Sequence, residues 1–168
     1  MSQRLLDRAH ALLGAKITSS HSFHGDDTIV VESADIYEAL STLKTDAEAK
    51  LDFLVDLTAV DYYGHATKDH RFEVVYHLRS MVTGERLRVK AELDDNEDGT
   101  EPSIASICDL WKCANWMERE VFDMFGIKFK SHPDLRRILM YEEFIGYPLR
   151  KDYPKDKRQP LVRRDPNT

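Results

Sequence analysis

Trp116, Glu118, Arg119, Glu120 and Asp123 crowd two turns of a segment whose apolar residues repeat at helical spacing. Several carboxylates on one short helix are raw material for acid–base chemistry, in which one carboxyl gives a proton and another takes it. Trp116, Glu120 and Asp123 fall along one side, and Arg119 and Asp123, four residues apart, are spaced to pair. The competing reading is a charged, solvated face, or ion pairs to another segment. That reading is preferred, because no nucleophile, metal-ligand cluster or phosphate-cradling loop accompanies these residues in the sequence. Downstream, His132-Pro133 leads into Arg136-Arg137, and Arg150-Lys151 into Asp152-Tyr153. A planar guanidinium makes two-pronged bonds to carboxylates, so these arginines suit pairing with the acidic helix or with a neighbouring protein. Phosphate is the poorer match without a glycine-rich loop.

The remaining chemistry-bearing residues are scattered. His21, His24, His65, His70 and His77 lack the helical His/Glu spacing of a metal site and read as ordinary surface or strand residues. Cys108 and Cys113 are too few for a disulfide framework and lack the two-residue gap of zinc or iron–sulfur sites. They read as reduced cysteines in a reducing compartment.

The elements that must position these groups follow from periodicity. Leu5, Leu6, Ala9, Leu12 and Leu13 make a helical stripe over residues 3–13, with Gly14 as its stop. Residues 28–32 are short and β-branched, a strand. Ser33 or Asp35 can cap a helix that buries Ile36, Ala39, Leu40 and Leu43. Residues 53–60, 71–79 and 86–93 have strand composition, with Thr83-Gly84 as a hairpin turn between the last two. Residues 94–100 form a polar loop too acidic to pack. Leu110, Ala114, Met117, Val121 and Met124 alternate at spacings of four and three, which predicts a helix over 110–125 capped by Gly126. Beyond it periodicity is lost. Pro133, Pro148, Pro154, Pro160 and Pro166 forbid a long helix or central strand, yet large apolar residues recur among them.

These patterns predict an α+β domain over residues 1–126, ending in the acidic helix. Its sheet is small, mixed or antiparallel, of about four strands, with helices on one side. Residues 127–168 are expected to form an extended, irregular arm that wraps a partner, because apolar groups in a disordered tail would stay in water.

Charge and composition narrow the function. A chain of 168 residues, 42% hydrophobic, forms one ordinary core without metal or disulfide help. The net charge of −6 argues against nucleic-acid binding. From Gly146 onward seven basic residues face three acidic ones, so a basic tail follows an acidic body and suits an acidic neighbour. No apolar run is long enough to span a bilayer, and the first residues resemble neither a secretory signal nor a transit peptide, as expected of a bacterial cytoplasmic protein.

The stretch from Ala114 to Ile127, reading ANWMEREVFDMFGI, resembles the signature of the 30-kilodalton-subunit family of respiratory complex I. His132-Pro133-Asp134-Leu135-Arg136-Arg137-Ile138-Leu139 continues that signature, and residues 146–154 resemble the family's closing motif. The match is dense over about residues 110–154 and looser near Asp56–Tyr62 and Val75–Leu78. Three positions depart from the pattern: Ser131 stands where glycine is expected, Lys155 where an apolar residue is, and Lys112 where proline is, the last predicting a helix begun earlier.

The resemblance implies a cofactor-free accessory subunit of the hydrophilic arm of NADH–quinone oxidoreductase. Its place would be peripheral, on the cytoplasmic side of a bacterial inner membrane. Its partners would be the 49-kilodalton quinone-site subunit, the terminal iron–sulfur cluster subunit, and other hydrophilic-arm subunits. FMN, iron–sulfur clusters and quinone would belong to those partners, and the signature residues named above to the interface. Two alternatives remain: the homologous subunit of a membrane-bound hydrogenase or of a ferredoxin- or deazaflavin-linked complex, and a free-standing acid–base enzyme using Glu118, Glu120, Asp123 and His132.

Overall fold

The computed structural model describes residues 3–96 and 100–161. Three helices and seven strands follow in the order α1 (Gln3–Leu13), β1 (Ile17–Phe23), β2 (Asp26–Glu32), α2 (Ile36–Thr45), β3 (Phe53–Asp61), β4 (Phe72–Arg79), β5 (Arg86–Leu93), β6 (Ser103–Ala105), α3 (Ala114–Phe125) and β7 (Lys128–Lys130). Five strands form one sheet in the order β1-β2-β5-β4-β3, and β6 and β7 form a separate parallel pair. Only β2 and β5 run parallel within the large sheet, which makes it mixed. Their pairing requires the crossover that α2, β3 and β4 supply.

β5, and β3 beyond its bulge, alternate in burial as a half-covered sheet does, whereas β2 and β4 are buried almost throughout. Phe72, Val74, Tyr76 and Leu78 of β4, with Leu87, Val89, Ala91 and Leu93 of β5, turn inward to one core. Leu5, Ala9 and Leu13 of α1, then Ile36, Ala39, Leu40 and Leu43 of α2, join it, as do Ala114, Val121, Met124 and Phe125 of α3. All three helices therefore lie on one side, the α+β arrangement that the patterning predicts. No helix of the described residues is long and apolar enough to cross a membrane.

The differences are local and have physical reasons. β1 carries no alternation because it is an edge strand, exposed along nearly its whole length. β6 and β7 are three residues each, too short for a pattern. α3 begins at Ala114, not at 110: residues 107–113 turn instead, with Leu110 and Trp111 both donating to the Ile107 carbonyl, so Lys112 does not lengthen the helix. Asp35 sits at the α2 N-cap without making a side-chain cap bond, and pairs with Lys16. The acidic loop does pack at its start. Asp94 accepts from the Arg71 N–H at 2.8 Å and meets His70 at 2.9 Å, and Asp95 pairs with Arg71. Residues 97–99 of that loop lie outside the described residues, as do Arg163, Arg164, Asp165 and Pro166 of the tail.

One core group is anomalous. The Tyr76 hydroxyl is fully buried and has no hydrogen-bond partner among the described residues. An unpartnered buried donor costs about 1–3 kcal/mol. Tyr76→Phe is therefore expected to hold or raise the melting temperature of the isolated chain. A clear fall in the thermal denaturation midpoint would show that the hydroxyl is bonded in solution.

Candidate functional site

The residues singled out by the sequence converge where α3 ends. Asp123 sits on the last turn of α3 and is completely buried. Its Oδ2 accepts the backbone N–H groups of Ile138, Leu139 and Met140 at 3.1, 2.8 and 2.8 Å, while Oδ1 accepts from Arg137 at 2.7 Å. Burial alone would raise this carboxyl's pKa. The three amides and the guanidinium outweigh that and hold it below its ordinary value. Three successive amides aimed at one oxygen form an anion nest, built from the chain just after the Arg-Arg pair.

The helix end is closed by the same segment. An α-helix leaves its last carbonyls unpartnered. Here the Leu149 N–H donates to the Met124 carbonyl at 3.1 Å, and Arg150 donates to the Phe125 carbonyl. A cation at this position also complements the helix dipole. Gly126 ends the helix in the left-handed conformation, φ 73°, and Tyr147 lies directly against it. A Cβ there would meet the Tyr147 ring at 2.4 Å, so only glycine allows the approach. Arg137 and Arg150 lie over the Tyr147 ring, 5.5 and 5.0 Å from its centre.

A second fastening holds the arm to the sheet. Asp61, buried at the end of β3, accepts the Lys151 N–H at 2.8 Å and pairs with Arg71. Arg71 also reaches Asp152 at 2.8 Å. Burial would raise the Asp61 pKa; Arg71 and the amides of Lys151 and Tyr63 bring it below the ordinary value. Tyr153 stacks on Phe144, ring centres 6.0 Å apart.

A third cluster lies on the sheet side of α3. Glu118 is fully buried and accepts the Ile107 N–H at 2.7 Å, with Cys108 Sγ at 3.4 Å and His132 Nε2 at 4.0 Å. Burial pushes the Glu118 pKa up despite these bonds, and the Cys108 thiol up to about 11. Cys, Glu and His within ligand distance could hold a metal ion. The histidine's bonds argue against it. Its Nδ1 accepts the Asp134 N–H at 2.9 Å, and its Nε2 faces the Asn115 carbonyl at 3.1 Å. A backbone N–H can only donate and a carbonyl only accept, so the proton sits on Nε2, the nitrogen a metal would need. The cluster ties the 106–108 turn and the start of the arm to α3.

The acidic helix is thus not a uniformly solvated face. Glu118 and Asp123 are buried, whereas Glu120 and Trp116 are exposed, Trp116 at 68%. Arg119 does not pair with Asp123; it donates to the carbonyls of Arg136 and Arg137 at 3.0 and 3.1 Å. Ion pairing with another segment does occur, as Arg137 with Asp123. Pro133, Arg136, Lys151 and Asp152 are exposed. The sequence reading gave no role to Asp61, Arg71 or Tyr147; Cys108, read as a reduced cysteine, is free and buried, and its place beside Glu118 was not foreseen. The five scattered histidines do not assemble with one another, and His132 is the one drawn into a cluster among the described residues. None of Glu118, Glu120, Asp123 and His132 lines the cavity of about 790 Å³ beside α3, which is formed by Cys108, Asn115, Trp116 and Pro133 among others.

Two solved structures match this architecture. The trypsin-resistant fragment (1-134) of Nqo5 matches with a TM-score of 0.66 and 31% identity over 79% of this chain and 98% of that one. An archaeal respiratory complex, the membrane-bound sulfane sulfur reductase, contains a chain matching with a TM-score of 0.73 at 23% identity over 91% of this chain and 85% of that one. The sequence matches the family described as respiratory-chain NADH dehydrogenase, 30 Kd subunit, over residues 29–159, and the chain belongs to that family. An NADH-quinone oxidoreductase subunit from Geotalea uraniireducens is 44% identical over 88% of this chain and 87% of its own length. The corresponding one from Citrifermentans bemidjiense is 48% identical over 79% and 76%.

Two outcomes follow from the site. Purified chain is expected to carry no stoichiometric zinc or iron, because His132 presents a protonated Nε2; elemental analysis finding one metal per chain would contradict this. Asp123 has a lowered folded-state pKa, so its contribution is present above the unfolded value of about 3.9 and is lost as pH falls through the folded value. Asp123→Asn is expected to lower stability at neutral pH by about 3–5 kcal/mol, since it leaves Arg137 unpaired. Its denaturation midpoints below about pH 4 should fall less steeply with acid than those of the wild type. Parallel acid limbs would remove Asp123 from the account.

Proposed function

We propose that the chain is a cofactor-free accessory subunit of the peripheral arm of a proton-translocating NADH–quinone oxidoreductase. In this reading it sits peripherally on the cytoplasmic side of a bacterial inner membrane. It braces the 49-kilodalton quinone-site subunit and the terminal iron–sulfur subunit while electrons pass from NADH to quinone. FMN, iron–sulfur clusters and quinone belong to its partners, and the chain performs no catalysis alone. Family membership supports the assembly. Glu118 and His132 share one buried cluster, but Asp123 is taken up in another and Glu120 is exposed, a division that supports a non-catalytic role.

One observation carries the docking role. The arm is fastened to α3 and β3 by polar bonds, and although Phe129, Leu135 and Met140 pack on the core, three of its apolar side chains point away: Leu139, Ile145 and Leu149 are each more than half exposed. A segment that merely packed on its own body would turn these inward, since burying each is worth about 1.5–3 kcal/mol. The arrangement suits a strap whose backbone is held by the body and whose side chains are offered to a neighbour. Exposed Trp116, Glu120, Arg136 and Lys151 lie on the same helix and arm and belong to the proposed interface. That the solved Nqo5 fragment is described as trypsin-resistant supports a body stable without everything beyond it.

The test uses full-length chain. Leu139→Ser, Ile145→Ser and Leu149→Ser combined are expected to change the stability of the isolated chain by no more than about 0.5 kcal/mol each, as surface substitutions do. Co-purification with the quinone-site subunit from membranes should fall sharply, with NADH–quinone activity falling in step. Normal assembly of the triple variant would move docking off the arm.

A further inference from the structure

The sheet face turned away from the helices carries an unusual arrangement of charge. Residues on this face pair across strands in rows, fixed by the register. Glu73 of β4 stands opposite Glu92 of β5 at one end; His77 stands opposite Arg88, and Arg79 opposite Arg86, at the other. Like charges directly opposite one another destabilise a sheet. At the acidic end the chain supplies its own remedy: Glu73 is bonded by Lys68 and by Lys90 at 2.7 Å, and His70 lies 3.3 Å from Glu92.

At the basic end it does not. Arg88 has a distant partner, Asp26 at 3.7 Å, and donates to Thr28 at 3.2 Å. Arg79 and Arg86 are exposed and have no carboxylate within ion-pairing distance among the described residues. Burial first, then Arg88, holds His77 below its ordinary pKa, with Asp56 opposite it and Asp26 acting the other way. These residues line a concave site of about 430 Å³. Asp26, Asp27 and Val55, the extra residue of the β3 bulge, also line it; Val55 and Phe53, which stands opposite Arg79, are both nearly half exposed.

We propose that the Arg79–Arg86–Arg88 end of the open sheet face binds an acidic segment of a neighbouring protein subunit. The proposal rests on the reading that the chain is an assembly component, and assigns it an interface separate from the arm. Guanidinium forks match carboxylates bidentately, and two unpaired forks side by side call for at least two. A protein segment fits better than a lipid surface or nucleic acid. The site is concave and bounded on one side by Asp26 and Asp27, so a single extended segment can reach the arginines where a flat bilayer surface or a duplex cannot.

The test uses full-length chain in the assembled complex, with a photo-reactive amino acid replacing Val55. Irradiation is expected to give an adduct with a neighbouring subunit's peptide that carries two or more Asp or Glu near the attachment point. In parallel, Arg79→Gln/Arg86→Gln is expected to leave the isolated chain's melting temperature unchanged or higher, because it relieves repulsion. The same variant should cut recovery of assembled complex about tenfold at low salt, the loss narrowing as salt rises. An adduct with lipid, nucleic acid or a neutral segment, no adduct, or a lowered melting temperature would overturn the proposal. Recovery of wild-type chain with the complex is the separate readout of the assembly role. If the wild type does not enter the complex, both readings fall; if it enters without the acidic adduct, only this one does.

Discussion

A buried carboxylate with no partner is among the least tolerable groups in a protein interior, and the end of α3 is built around satisfying one. Desolvating Asp123 costs several kcal/mol unless its oxygens are occupied. Its four bonds come from Arg137 and from three consecutive backbone amides, all in the segment after β7. That demand fixes the path of a stretch that cannot form regular structure of its own. Residues 138–140 must turn their N–H groups inward toward α3, which leaves Leu139 directed outward while Met140 packs on the core.

The same logic repeats one turn on. The Met124 and Phe125 carbonyls need donors, Gly126 leaves the only room for a ring to approach, and Tyr147, Leu149 and Arg150 arrive together. With Lys151 bound to Asp61 and Arg71 to Asp152, the arm is held at three places by polar groups. Hydrogen bonds thus do for this arm what hydrophobic burial does for the three helices. A segment fixed that way keeps its apolar side chains available.

Helical geometry explains which parts of this were legible in the sequence. At 100° per residue, Glu118 falls about 40° from Ala114 and about 20° from Phe125, within the apolar stripe. Its burial was there to be seen, as a carboxylate on the core face. Asp123 falls roughly opposite Ala114, on the side the stripe marks as outer. It is buried by the arm and not by the core, and nothing local in α3 announces that. Trp116 and Glu120 share its side but stay exposed, while the arm meets α3 at Asn115, Arg119 and its last turn. The strands β3, β4 and β5 were readable because one face of each is covered; β1, exposed on both, had no period to show. Asp61 is 90 residues from the Lys151 amide it accepts, and Arg71 and Tyr147 are likewise far in sequence from Asp152 and Gly126, so only the fold brings them together.

The layers of the molecule bear on its role. The arm lies outside α3, α3 lies on the inner face of the sheet, and the unpaired arginines lie on the outer face. The exposed apolar side chains of the arm and the uncompensated charge of the sheet therefore occupy opposite sides of one rigid plate. In an isolated chain each is a cost without a purpose. The apolar groups forgo burial, and the opposed guanidiniums repel. Each is relieved by a different kind of neighbour, one apolar and one acidic. On the proposed reading, a chain that carries both, on opposite faces, would stand between two partners.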